Sequence, residues 1–101
     1  MREKLLLQKK KALEILKSVD LAVEKKQISD LDPLTEEARK IMFSNFEDGI
    51  NEISFYDITE YIDFVRLNFD EIIKNNGEIN GDLAWIKEYT VDIYDSLNDI
   101  K

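Results

Sequence analysis

The sequence predicts an all-α fold, a small four-helix bundle with up-down-up-down connections. Three observations predict it. Apolar residues recur three and four positions apart along almost the whole chain, the spacing that lines one face of a helix. The 101 residues include only three Gly and one Pro, too few for the turn density of an all-β domain. The intervals between the four periodic stretches are short, which sets sequential helices antiparallel. The length fits one helical domain, residues 1–101, against a prior of roughly 100–200 residues per domain.

The first helix is expected over residues 2–28. Leu5, Ala12, Leu16, Val19 and Val23, flanked by Leu6 and Leu13, form its apolar stripe, and Lys9, Lys10, Lys17 and Lys25 fall mostly outside it. At ~1.5 Å per residue it would run roughly 40 Å, so an irregular bundle with a long first helix is the structural alternative. The second helix is expected over 33–48. Asp32-Pro33 offers an N-cap acceptor followed by proline at the first helical position, where the absent N–H costs nothing. Its inner face reads Leu34, Ala38, Ile41, Met42 and Phe46, and Gly49 supplies the left-handed residue past its end, with Ile50 as the apolar contact beyond.

The third helix is expected over 54–75. Ser54 is its N-cap, Asp57 stands at the capping-box position, and Ile53 and Ile58 have the spacing of a hydrophobic staple. Phe55, Ile58, Ile62, Val65, Phe69, Ile72 and Ile73 make its core face before Asn75-Asn76-Gly77 ends it. The fourth is expected over 82–100, capped by Asp82 and burying Leu83, Ile86, Tyr89 or Thr90, Ile93, Leu97 and Ile100. Leu16, Ile41, Ile62, Phe69, Ile86 and Ile93 are the expected centre of the core.

Composition removes much of enzymology. With neither Cys nor His there is no disulfide framework, thiol nucleophile, Ser-His triad or His-dependent metal site. A Glu-x-x-His di-iron arrangement is likewise impossible. The segment from Asn76 to Asp82 has three side chains at calcium-loop spacing, Asn76, Glu78 and Asn80, but the closing bidentate acid would fall on Lys87. The expectation is therefore a non-enzyme with no cofactor and no metal. No apolar stretch reaches the length of a signal peptide or a membrane span, so a soluble, cytoplasmic protein without membrane contact is expected.

Charge is informative through its placement. The net charge is −8; residues 1–40 hold ten Lys/Arg and eight Asp/Glu, whereas residues 41–101 hold four and fourteen. Such an acidic half repels phosphate backbones, so direct nucleic-acid binding is not expected. It would steer a basic protein surface inward. Helical spacing gathers the acids into rows. Tyr56, Glu60, Asp63, Leu67 and Asp70 align on the third helix, and Trp85, Glu88, Asp92, Asp95 and Asp99 on the fourth, with Phe64 and Tyr94 at the edges. Acids one turn apart repel one another, and each row is headed by an aromatic of the kind that dominates binding energy. The bland reading is a solvated, solubilising surface. The sharper one is an interface, with Tyr56, Glu60, Asp63, Asp70, Trp85, Glu88, Asp92, Asp95 and Asp99 as the partner-binding residues.

In size, acidity and helicity the chain is similar to bacterial immunity proteins that neutralise nuclease toxins. No motif matches residue by residue, so the similarity carries no positions over. It implies a small acidic inhibitor that occludes a basic nuclease surface, and phage-type inhibitors of nucleic-acid enzymes fit the same description. The other readings are a regulatory or adaptor domain that holds a partner helix in an apolar groove, and a self-associating protein built on the long first helix.

Overall fold

The computed structural model describes residues 2–100. They form five α-helices and no strand: α1 (Arg2–Glu24), α2 (Leu31–Asp48), α3 (Phe55–Leu67), α4 (Phe69–Lys74) and α5 (Ala84–Asn98). Short 3-10 turns, Ile28–Asp30 and Gly81–Leu83, lead into α2 and α5. The all-helical expectation holds. The count of four does not, because the third expected helix is interrupted.

The interruption is at Asn68, whose Nδ2 donates to the Phe64 carbonyl at 2.9 Å while its own amide donates to the same oxygen at 3.1 Å. A short amide side chain that competes for the helical acceptor loosens the turn. Helical bonding resumes with Ile72 N–H to the Asn68 carbonyl at 3.0 Å. The apolar stripe survives, since Val65, Phe69 and Ile72 are all buried on either side of the break.

Helix ends follow one rule with three different residues. At Gly49 (φ 71°) the amide of Ile50 returns to the Asn45 carbonyl at 2.9 Å and Gly49 to Phe46 at 3.4 Å, the paired bonds of a Schellman motif. Asn76 (φ 60°) ends α4 in the same way, with Gly77 bonding Ile72 at 2.8 Å. Lys26 (φ 58°) ends α1, with Gln27 bonding Ala22 at 2.9 Å. The first helix therefore stops at Glu24, four residues short of the expected Ile28. Lysine carries no sequence signal for a left-handed residue.

Starts differ too. Helix α2 begins at Leu31, ahead of the expected Asp32-Pro33 cap, and Pro33 sits inside the first turn, where amides lack helical partners in any case. Burial explains the shift: Leu31 is fully enclosed, and Thr35 Oγ1 donates back to its carbonyl at 3.2 Å. Asp82 lies within the second 3-10 turn with no capping bond, so α5 starts at Ala84 and ends at Asn98. Ser54 does cap α3, accepting from the Asp57 amide at 3.2 Å, and Ile53 and Ile58 both reach the core.

The core joins Ala12, Leu16 and Val19 of α1 to Ile58, Ile62 and Val65 of α3 and Ile86, Ile93 and Leu97 of α5. Five of the six expected central residues are buried; Ile41 is half-buried against the cluster. The expected α1 stripe holds at Ala12, Leu16, Val19 and Val23, but Gln8, Ile15 and Ala22 are buried beside it, whereas the expected flanking Leu6 and Leu13 are exposed. Phe46, expected on the inner face of α2, is 87% exposed. Asn45 takes the inward place beside it, hydrogen-bonded to Gln8. Tyr89 and Thr90 share the fourth-helix position between them, each half-buried.

Neighbouring helices run against one another. Lys4 pairs with Asp48 at 2.7 Å, Gln8 with Asn45, and Lys11 with Glu37, so α2 returns along α1. Arg66 near the end of α3 reaches Thr35 at 3.1 Å and Asp32 at 2.8 Å near the start of α2. Lys9 Nζ donates to the Ile100 carbonyl at 2.8 Å, tying the start of α1 to the end of α5. The result is elongated, 43 × 24 × 17 Å. Among the described residues no helix is long and apolar enough to cross a membrane.

Candidate functional site

Helices α3 and α5 lie antiparallel, and the seam between them carries the residues singled out from the sequence. Phe64 on α3 meets two α5 rings: Trp85 edge-on, with centroids 4.8 Å apart and planes at 75°, and Tyr89 at 5.1 Å and 58°. At the other end of the seam, Ser54 and Asp57 of α3 share a small hollow with Asp92 and Ser96 of α5. Register on both helices follows from burial. Ile58, Ile62 and Val65 on α3 and Ile86, Ile93 and Leu97 on α5 turn inward, which leaves Tyr56, Glu60 and Leu67 on one outer ridge and Trp85, Glu88 and Asp92 on the other.

The structure thus brings Tyr56, Glu60, Trp85, Glu88 and Asp92 onto one face. Tyr56 is 58% exposed, and Glu60, one turn on, raises its phenol pKa as a hydrogen-bond acceptor and as a negative charge. Trp85 keeps 43% of its surface in solvent although Phe64 packs against its ring. Edge-to-face packing of this kind holds an aromatic in place for about 0.5–1.5 kcal/mol beyond burial.

The other expected residues are placed less simply. Asp63 is half-exposed and lies 3.9 Å from Arg66, so part of its field is neutralised within the chain. Asp70 is exposed and lies on α4, beyond the Asn68 break. Asp95 and Asp99 are exposed near the end of α5. Of the two edge aromatics, Phe64 widens the face from beneath. Tyr94 does not, because it lines a separate groove with Asp20 and Tyr61.

Residues missed from the sequence include Phe43 and Phe46 on α2, 62% and 87% exposed. Phe46 borders a hollow with Met42, Ile50, Phe55 and Tyr56, so exposed apolar surface adjoins the acidic ridge. Their helical spacing suits a core stripe, and only the Asn45–Gln8 pair reveals the rotation that exposes them. The basic residues of α1 partly serve as straps: Lys4, Lys9 and Lys11 bond to α2 and to the chain's end. Among the described residues no three acidic, His or Cys side chains are grouped to hold a metal. In the segment from Asn76 to Asp82, Glu78 accepts from Asn80 at 2.8 Å.

No family model, curated protein or solved structure matches the chain.

Proposed function

We propose that the protein is a small acidic inhibitor of the immunity or antitoxin type, which covers a basic nuclease surface with the outer face of α3 and α5. One observation carries the reading: Trp85 is exposed yet braced by Phe64, with Glu60, Glu88 and Asp92 on the surrounding ridges. A braced aromatic loses little side-chain entropy on binding, so its contact area is converted into affinity efficiently. The acids around it speed encounter with a cationic partner and disfavour anionic ones. Occlusion by a carboxylate-rich helical face competes with phosphate for the same Lys/Arg groups and needs no catalytic residue, cofactor or metal from this chain. A cytoplasmic, non-enzymatic role fits this mode of action. With α3 and α4 taken as one interrupted arm, the scaffold is an irregular up-down-up-down four-helix bundle.

The test is inhibition of basic nuclease domains by the purified chain, titrated at low and physiological salt, beside an immobilised panel of amphipathic helical peptides. Stoichiometric, salt-sensitive inhibition lost in Trp85→Ala supports the proposal. A phage-type inhibitor of a nucleic-acid enzyme would use the same face, and the identity of the inhibited enzyme separates the two. The second reading, an adaptor that holds a partner helix, is favoured by exposed Phe43 and Phe46 beside the Met42–Ile50 hollow. Salt-insensitive peptide binding lost in Phe46→Ala, without nuclease inhibition, would replace the first reading with it. The mass of the free chain in solution decides self-association.

A further inference from the structure

On the side of the molecule formed by α1, α3 and α5, a groove crosses the waist of the chain. One half, a hollow of about 250 Å³, is walled by Leu16, Lys87, Thr90 and Tyr94; the other, of similar volume, by Val23, Glu24 and the Asn76–Gly77 turn. Asp20, Tyr61 and Ile79 line both halves. Tyr61 is only 2% exposed, yet its hydroxyl takes part in no hydrogen bond with the described residues and is not sealed from solvent, so it opens into the groove. Buried phenols ordinarily find a partner. Asp20, an exposed residue beside it, makes neither an ion pair nor a hydrogen bond with the described residues, and partial burial raises its carboxyl pKa. An unpaired carboxylate and an unpartnered phenol thus line the same groove, with Leu16 and Ile79 as its apolar walls.

We infer that this groove binds a cationic head group, an alkylammonium or guanidinium on a slim aliphatic stem, at Asp20 and Tyr61. The carboxylate and the Tyr61 oxygen accept from the cation's N–H groups, and the stem lies on Leu16 and Ile79 beside Tyr94. Lys87 repels a cation at one end, and Glu24 attracts it toward the other. The site is separate from the acidic face of α3 and α5 and does not depend on its role.

The test is amide chemical-shift titration of the full chain with n-butylammonium chloride at constant ionic strength, with n-butanol as the neutral isostere. A second arm uses a terminally blocked tripeptide with a central lysine. Expected are saturable shifts at Asp20, Tyr61 and Ile79 with the cation, weakened about tenfold or more in Asp20→Asn, as for loss of a charge-assisted hydrogen bond. Tyr61→Phe should weaken binding less, and Trp85→Ala should leave it unchanged. Saturation by butylammonium shows that a free amine suffices; saturation by the peptide alone assigns the site to a lysine side chain of a protein. Equal binding of butanol, unaltered binding in folded Asp20→Asn, or no saturation in either arm would overturn the inference.

Discussion

Gln8 and Asn45 face each other across α1 and α2 as a reciprocal amide pair, Gln8 Nε2 donating to Asn45 Oδ1 at 2.7 Å and Asn45 Nδ2 to Gln8 Oε1 at 3.0 Å. Both residues are buried. Each amide satisfies the other, so the pair favours one register between the two helices.

Breaking that pair on one side should be costly. Asn45→Ala should destabilise by about 2–3 kcal/mol, because the Gln8 amide is left buried and unpaired. The double variant Gln8→Leu, Asn45→Leu should recover most of the loss, since no polar group is then stranded. Urea unfolding of Gln8→Leu, Asn45→Leu and their combination closes the cycle. Strictly additive losses would show that the amides do not act as a pair.

Lys26 ends α1 in the left-handed region at φ 58°, where a side chain is disfavoured and glycine is not. Lys26→Gly should therefore stabilise the protein by about 0.5–1 kcal/mol, read as a higher urea midpoint at unchanged slope. The same change at Lys25, which is helix-like and exposed, should destabilise.

Burial raises the Tyr61 phenol well above its ordinary value of 10.0, with Asp20 and Tyr94 adding to the shift. The neutral phenol is the form that folding favours. Stability from Tyr61 is thus fully present below pH 10.0 and falls as pH rises above it toward the raised value. Absorbance titration should show its tyrosinate appearing late, together with unfolding, and Tyr61→Phe should flatten the alkaline loss of stability. Ionisation of Tyr61 at an ordinary pKa would contradict its buried placement.

Against a basic nuclease, charge and aromatic substitutions on the α3/α5 face should fail differently. Reversing Asp92 and Asp95 to Lys should mainly slow association and weaken its salt dependence, because steering acts over about 8 Å at physiological ionic strength. Trp85→Ala should mainly speed dissociation, at a cost near ~2 kcal/mol. Stopped-flow rates at two salt concentrations separate the effects. Unchanged rates in both variants would leave the ridges as solvated faces.

Helix existence and the inward faces of α3 and α5 were legible because each carries a long apolar stripe at helical spacing. Ser54 and Gly49 act as their residue types require, and Phe55 through Ile72 bury as their spacing dictates. The candidate face was legible for the same reason: once the inward residues are known, Tyr56, Glu60, Trp85 and Asp92 have nowhere to point but out.

By itself, the chain's sequence determined an all-helical fold, the acidic bias of its second half and the aromatic heads of the acid rows, all of which follow from local periodicity and composition. Only the tertiary structure decided the rotation of α2, the brace of Phe64 on Trp85 and the placing of Asp20 and Tyr61 in one groove. Asn45 turned inward and Phe46 outward because Gln8, 37 positions away, offered the matching amide. Hydrophobic periodicity assigns a polar residue to solvent one helix at a time; a partner on another helix reverses that assignment, since a satisfied buried amide costs little and an unsatisfied one costs much.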